Sequence, residues 1–168
     1  MKIDFIEMNP MDAGHTAFLF QLFGECADIL WPENHRDIFA NIYDITRRPL
    51  YFIVAVDGAF SGYIGIDTDN LLEGACLKKY RRFYPARQAV YQFCKMMFRQ
   101  YEKHKIKAKV VTFNRPAEKV LRSVGFKKEG TSIKELLYRG KYRDAVNLYV
   151  FPSMLKVNHG RKVKTASS

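Results

Sequence analysis

The sequence predicts an α/β (α+β) fold with a central, mixed but mostly antiparallel sheet of about seven strands, flanked by about four helices. Several short segments alternate apolar and polar residues, the pattern of a strand with one buried face. Other segments, above all residues 86–101 and 117–124, place apolar side chains at helical spacing instead. The 168 residues, 48% of them hydrophobic, are enough for a single domain with a sizeable core.

The first half of the chain is predicted to hold four strands and two helices. The strands are residues 2–8, 50–56, 60–67 and 71–77. The helices are residues 10–23 and a segment that begins near Asp37, after a loop containing Trp31 and Pro32. Asp57-Gly58 is a turn suited to a hairpin between the second and third strands.

The second half is predicted to contain a long helix, a strand, a short helix and a final hairpin. The long helix runs to about His104, and its apolar face comprises Ala86, Ala89, Val90, Phe93, Cys94, Met97, Phe98 and Tyr101. A strand follows over residues 106–113. Asn114 and Pro116 then suit the start of a helix, and Gly125 suits its end. Residues 132–138 and 144–151 form the hairpin around residues 139–141.

The run IKAKVVTFNRPAEKVLRSVGF (residues 106–126) resembles the coenzyme-A end of the GCN5-related N-acetyltransferase (GNAT) superfamily. The segment FKKEG that follows, and the hairpin that contains Tyr142-Arg-Asp144, resemble the corresponding segments of the family branch that acetylates ribosomal proteins and small molecules. The resemblance covers residues 1–152 and is strongest from residue 107 to residue 151. It implies a GNAT-like acyltransferase domain over residues 1–152, followed by a basic, flexible tail over residues 153–168.

The resemblance also implies a coenzyme site that departs from the family pattern. The family holds the coenzyme's pyrophosphate on a glycine-containing loop, where the aligned residues here are Arg81, Arg82, Phe83, Tyr84, Pro85 and Ala86. Tyr84 replaces the first glycine, and Pro85 removes a backbone N–H donor. The cofactor-binding residues that it implies are Arg81, Arg82, Tyr84, Ala86, Arg87 and Asn114, with acetyl-CoA as the cofactor. For Asn114, helix capping is an equal alternative.

Amine acetylation needs a base for the ammonium and an acid for the departing thiolate. Glu73, the carboxylate within the fourth strand, is the candidate base, although a solvent-facing side chain is the plainer interpretation. Relatives carry the acid at positions that correspond here to Ala117 and Leu121, and neither side chain has a proton to donate. Tyr138 and Tyr142 in the hairpin are therefore the candidate acids. No metal-ligand spacing is present.

Charge and cysteine content restrict the partners and the compartment. Lys and Arg outnumber Asp and Glu by 28 to 17, and this net charge of +11 favours an anionic partner such as a nucleotide, nucleic acid or an acidic protein surface. The basic residues cluster at residues 78–87, 95–109 and in the tail. Three scattered cysteines among apolar neighbours indicate buried thiols, and no apolar run is long enough for a membrane span. A bacterial or host-cell cytoplasm is expected, with a virion as the alternative.

Three functional hypotheses remain open at this point. The first is an acetyl-CoA-dependent N-acetyltransferase that acts on a protein N-terminus, a lysine or a small-molecule amine. The second is a non-catalytic structural protein of a bacteriophage, in head assembly or inside the virion, which has kept the scaffold and lost the reaction. The third is a basic protein that binds nucleic acid directly. The acyl acceptor and the oligomeric state are not specified by the sequence.

Overall fold

The computed structural model describes residues 1–30, 38–138 and 141–157. Its helices are α1 (Ala13–Leu30), α2 (Ile38–Ile45), α3 (Phe83–Gln100) and α4 (Arg115–Val124). Its strands are β1 (Ile3–Glu7), β2 (Tyr51–Val56), β3 (Ala59–Ile66), β4 (Leu71–Cys76), β5 (Ile106–Val111), β6 (Lys127–Tyr138) and β7 (Lys141–Val150). The predicted α/β class, with seven strands and four helices, is confirmed over the described residues.

The seven strands form one sheet in the order β1-β2-β3-β4-β5-β7-β6. Every neighbouring pair is antiparallel except β4 and β5, which run parallel. The parallel pair is short, because only Leu71 with Lys107 and Leu72 with Ala108 are in register. Beyond these residues the two strands separate, and this separation divides the sheet into two parts.

Helices cover the two faces of the sheet. Alternate residues of β2 are buried on opposite faces, which explains why Tyr51–Ala55 are buried without interruption. On one face Phe52 and Val54 pack with Phe93, Met97 and other residues of α3 and α4. On the other face Ile53 packs with α1 and α2.

Several elements differ in extent from the sequence prediction: α3 ends at Gln100 and not near His104, β7 begins at Lys141 and not at residue 144, and α1 and β6 are both longer than predicted. α1 begins at Ala13, where the Asp12 side chain accepts a hydrogen bond from the His15 N–H, and it continues beyond residue 23 to Leu30. The helix passes through Gly24, since a glycine costs only about 1 kcal/mol inside a helix and Cys26, two residues later, is buried. β6 begins at Lys127, five residues before the prediction, because a register shift around Glu129 conceals its alternation. Trp31, Pro32, Arg139 and Gly140 lie outside the described residues.

The chain after β7 continues to pack against the domain. Residues Pro152–Met154 form a short 3-10 helix, and Met154 and Leu155 lie against the α3/α4 side of the core. The Lys156 N–H donates to the Val124 carbonyl at 2.8 Å, so residues 152–156 are fastened to the end of α4. Contacts therefore extend past residue 152, where the sequence predicted the end of the domain. Over the described residues, no helix has the length and apolarity needed to cross a membrane.

Candidate active-site cleft

The separation of β4 from β5 creates a cleft at the edge of the sheet where both strands end. Over the described chain, residues 73–76 of β4 have no partner on the β5 side. Because parallel strands run in the same direction, the α3 N-terminus, which follows β4, and Asn114, which follows β5, lie at this same edge. Ligands in open α/β sheets bind outside the carboxyl ends of the strands, at such a break in topology. The cleft is the place in the fold where a ligand would meet unpaired backbone.

Glu73 stands at the opening of this cleft, on the α1/α2 face of the sheet. Its neighbours in register are Gly65 of β3 and, across Gly65, Tyr51 of β2. A Cβ at Gly65 would lie 2.4 Å from the Tyr51 ring, so the glycine allows that ring to lie across the sheet towards Glu73. The Tyr51 hydroxyl donates to Glu73 Oε2 at 2.8 Å. The Glu73 side chain is 35% exposed, which is less than the solvent-facing interpretation implies.

Arg48 adds a cation beside Glu73. Its Nη1 lies 3.6 Å from Glu73 Oε2 and 3.3 Å from the Tyr51 hydroxyl, while its Nη2 contacts Asp44 Oδ2 at 2.5 Å. Burial raises the pKa of Tyr51 well above its ordinary value, and the neighbouring Glu73 acts in the same direction. Tyr51 is therefore a neutral hydrogen-bond donor. The Tyr51 hydroxyl and the Arg48 guanidinium together fix the direction of the Glu73 carboxylate.

Lys109 lies on the opposite side of the cleft from Glu73. Leu71 is in register with Lys107, and since side chains alternate along a strand, Glu73 and Lys109, each two residues further on, lie on the same face of the sheet. Lys109 forms an ion pair with Glu135, and its ammonium group holds the pKa of the Glu135 carboxyl below its usual range. Glu135 belongs to a bulge in β6 between Ser132 and Leu136. The Asp144 carboxylate stabilises this bulge by accepting a hydrogen bond from the Lys134 N–H. The bulge turns Glu135 towards β5.

Asn114 acts as the N-cap of α4. Its side-chain oxygen accepts from the Ala117 N–H at 3.4 Å, and Pro116 occupies the first turn. Asn114 is half-buried at the end of β5, and so it borders the cleft while it caps the helix. Leu121 is buried in the core and Ala117 packs against it. The helix therefore presents no proton donor at these two positions, in agreement with their residue types.

The α3 N-terminus offers a reduced anion site. Arg82 precedes the helix without a capping side chain, and Pro85 has no N–H, which leaves the N–H groups of Phe83 and Tyr84. Phe83 and Tyr84 are 44% and 50% exposed, and Tyr84 Oη accepts from Gln88 along the helix. The Lys119 ammonium of α4 lies 5.5 Å from the centre of the Phe83 ring, which brings a cation to the same end of α3. Ala86 follows in the first turn and is half-buried.

Arg81 is engaged within the protein. Its Nε donates to the Cys76 carbonyl at 3.2 Å, and its Nη2 lies 3.0 Å from the Cys26 sulfur. Burial raises the pKa of the Cys26 thiol, so the sulfur is neutral. Nearby, Glu25 of α1 accepts from the Lys78 N–H and adds a negative charge. Arg81 therefore joins β4 to α1, whereas Arg82, Lys79 and Lys119 form no ion pair among the described residues.

Arg87, also predicted to bind cofactor, is only 5% exposed. Its Nη2 donates to the carbonyls of Lys156 at 2.9 Å and Ser123 at 3.3 Å. The guanidinium thus connects α3, the end of α4 and the C-terminal segment. Its Nη1 is buried and has no hydrogen-bond partner in the described part of the protein, and the contact of Arg87 with a phosphate stays a prediction.

The two candidate acids of the hairpin lie in different surroundings. The Tyr138 ring packs against Phe113 with 4.7 Å between ring centres, and so it lies beside the end of β5 and the cleft. Tyr142 is 62% exposed. Among the described contacts, neither tyrosine reaches Glu73. Tyr138 is the better placed of the two for a role at the cleft.

Sequence reasoning missed Asp44, Arg48, Tyr51, Lys109 and Glu135. The spacing of Asp44 and Arg48 is that of a helical ion pair, so this pair was open to detection. The approach of Tyr51 to Glu73 depends on the register of three strands and had no local signal. No cluster of three metal-ligating side chains occurs in the described part of the chain.

Solved structures share the whole architecture. The ribosomal-protein-S5-alanine acetyltransferase from Vibrio fischeri is similar with a TM-score of 0.70 and 20% identity, over 92% of this chain and 94% of that one. A GNAT-family acetyltransferase from Bacillus anthracis gives 0.71 and 14%, over 90% and 95%. Mycobacterium smegmatis RimJ, solved in complex with CoA-disulfide, gives 0.69 and 21%, over 85% and 79%.

The chain has the GNAT fold. No protein-family model and no curated protein sequence matches the chain. At 14–21% identity the likeness establishes the fold and its topology, and the chemistry has to come from the side chains at the cleft.

Proposed function

We propose that the chain is an acetyl-CoA-dependent N-acetyltransferase that acts on an amine. The observation that carries the proposal is the position of Glu73, an oriented carboxylate at the point where β4 and β5 separate. The similarity to acetyltransferases, one of them bound to a coenzyme-A disulfide, supports the choice of cofactor. The acceptor is a protein N-terminus, a lysine or a small-molecule amine, as the sequence resemblance implies.

The residues at the cleft fit acetyl-CoA in part. The unpaired backbone of β4 beyond Leu72 and the side chain of Asn114 suit the amide-containing arm of the coenzyme. The phosphates would meet two backbone N–H groups and the cations of Arg82, Lys79 and Lys119, in place of a glycine-rich cradle. When bound, acetyl-CoA supplies an acetyl group activated as a thioester.

Glu73 is proposed to accept the proton of the incoming ammonium group. Tyr51 and Arg48 hold the carboxylate in one direction. Ala117 and Leu121 leave α4 without an acid, so the departing thiolate takes its proton from water or from Tyr138. A missing acid slows such a reaction by about 10²–10⁴-fold, while orientation of the reactants continues to contribute. A slow transferase is expected.

The test combines cofactor binding with turnover. Calorimetric titration with acetyl-CoA should show binding, and mass spectrometry should show CoA release and an acetylated amine from a panel of peptides, lysine derivatives and polyamines. Glu73→Gln should reduce turnover by about 10²-fold or more without weakening binding. Glu129→Gln is the matched control, because Glu129 is a carboxylate that pairs with Lys105 on the exposed surface. Absence of binding at millimolar acetyl-CoA would overturn the proposal.

A second candidate is a non-catalytic protein that uses the same scaffold for binding. It is supported by the engagement of Arg81 and Arg87 within the protein and by Pro85 at the phosphate loop. In this case the same titration shows no binding, or binding without turnover for any acceptor, and Glu73→Gln changes neither. A structural role in a bacteriophage stays a prediction of the sequence resemblance.

A further inference from the structure

We propose that a groove between α3 and β1 binds single-stranded nucleic acid. The groove has a volume of about 530 Å³ and extends along α3 from Gln88 to Gln100. Phe5, Tyr91 and Met96 supply its apolar floor, and Gln92, Lys95 and Arg99 supply polar groups along one side. The sheet order separates β1 from β4 by two strands, so the β1 side of the groove is remote from Glu73. The other end of the groove, at Gln88, borders Tyr84 of the α3 N-terminus.

The groove carries positive charge with no negative side chain in its lining. No carboxylate lines it, and neither Lys95 nor Arg99 has an ion pair among the described residues. Lys95 is half-buried and Arg99 is exposed. Two cations without a neighbouring carboxylate favour an anionic ligand. The charge of the groove therefore selects a ligand with negative groups.

The spacing of these side chains favours a strand-like ligand. Gln88, Gln92, Lys95 and Arg99 recur at helical intervals on one side of α3, and they span about 16 Å along its axis. Tyr91 lies within this row and is half-buried, with part of its surface in the groove. Single-strand binding sites combine a cationic track for the backbone with an aromatic ring on which a base stacks. An acidic peptide would satisfy the two cations and would not require the ring.

The described part of the chain ends at the rim of the groove, which Val157 lines. The sequence that follows, residues 158–168, includes Arg161, Lys162 and Lys164 and contains no Asp or Glu.

The experiment measures binding of a fluorescein-labelled RNA of about 12 nucleotides, a length within the site sizes of single-strand binding proteins. Fluorescence anisotropy of the full chain is followed from about 50 to 200 mM salt. Lys95→Gln with Arg99→Gln tests the groove. Lys127→Gln with Lys128→Gln is the matched control, because these two exposed lysines of β6 have no ion pair in the described part of the protein. Tyr91→Leu tests stacking, and CoA and poly-glutamate serve as competitors.

The proposal expects the groove variant to bind RNA about tenfold more weakly and to lose about 1.4 units of salt slope, about 0.7 for each phosphate contact. Tyr91→Leu should weaken binding by about fivefold or more. The control variant should bind as the unmodified chain does, and CoA should not displace the RNA. The proposal would be overturned if both double variants lost the same RNA affinity, or if CoA displaced the RNA. It would also be overturned if poly-glutamate competed more strongly than CoA while Tyr91→Leu had no effect on RNA binding.

Discussion

At the scale of single residues, the environment of Glu73 depends on a glycine, Gly65, which has no side chain to fill the space beside it. Gly65 stands between Tyr51 and Glu73 in the register of the sheet, and any Cβ there would overlap the Tyr51 ring. The ring thus occupies the space over the glycine, and its hydroxyl reaches the carboxylate. Tyr51 in turn stacks on Tyr63, with 6.4 Å between ring centres. The direction of the candidate base therefore depends on two buried tyrosines of β2 and β3.

The burial of Tyr51 and Tyr63 leads to a prediction about the stability of the fold at alkaline pH. Burial raises the pKa of Tyr63 and Tyr51 well above the ordinary value of 10.0. The folded chain keeps both phenols neutral, whereas the unfolded chain releases their protons above about pH 10. Their contribution is complete below this pH, and the free energy of unfolding falls as pH rises further. Tyrosinate absorbance should show two phenols that titrate only together with unfolding.

Two variants, Tyr63→Phe and Tyr142→Phe, distinguish the effect of a buried tyrosine from the effect of losing any tyrosine. Tyr63→Phe should lessen the loss of stability above about pH 10, because it removes one raised pKa. Tyr142→Phe should only lower the absorbance change in the ordinary range, since Tyr142 is 62% exposed. Reversible titration of all ten tyrosines near pH 10 with an unchanged circular dichroism spectrum would contradict the prediction.

At the scale of elements, the sequence predicted well what depends on neighbours in the chain. The order of strands and helices, the Asn114 cap and the Gly125 stop rest on local patterns, and all are present. It did not predict the contacts at the cleft, because these join separate strands. Arg87 illustrates the limit: its position near a helix start suggests a phosphate ligand, and only the tertiary structure reveals that its Nη2 also donates to the Ser123 and Lys156 carbonyls.

The junction of α4 with the C-terminal segment leads to a prediction about Gly125. Its φ is 124°, and a Cβ would lie 2.1 Å from the Met154 carbonyl oxygen. Gly125→Ala should therefore combine backbone strain with displacement of residues 152–156, and it should lower the free energy of unfolding by about 2–4 kcal/mol. Gly58→Ala is the matched control, because its φ is 83° with open space around it.

The control variant Gly58→Ala should lose only about 1 kcal/mol of its free energy of unfolding, which is the cost of placing a residue with a side chain in the left-handed conformation. Denaturant unfolding of the two variants and the unmodified chain measures both losses. Similar losses at the two glycines would mean that the contact with Met154 adds nothing. The C-terminal segment would then be only loosely attached, and residue 152 would be a sounder domain end.

At the scale of the whole molecule, the split sheet and the net charge of +11 would both favour the cofactor of the proposed transferase. The split exposes backbone that suits the amide arm of acetyl-CoA, while the α3 N-terminus has two free N–H groups where a glycine-rich loop offers more. Phosphate recognition therefore depends more on side-chain cations than on a backbone cradle. Cations in solvent are screened over about 10 Å at 0.1 M salt, whereas direct backbone hydrogen bonds respond much less.

This difference predicts that acetyl-CoA binds in a salt-dependent way. Between about 50 and 200 mM salt its affinity should fall several-fold, because the phosphates meet mobile, solvated cations. Arg82→Gln with Lys119→Gln should weaken binding by about tenfold at the lower salt and should flatten the salt dependence. Lys127→Gln with Lys128→Gln removes the same charge from β6, so it shows what net charge alone contributes. If titration calorimetry finds the same affinity at all salt concentrations and in both variants, the two N–H groups of α3 hold the phosphates without the cations.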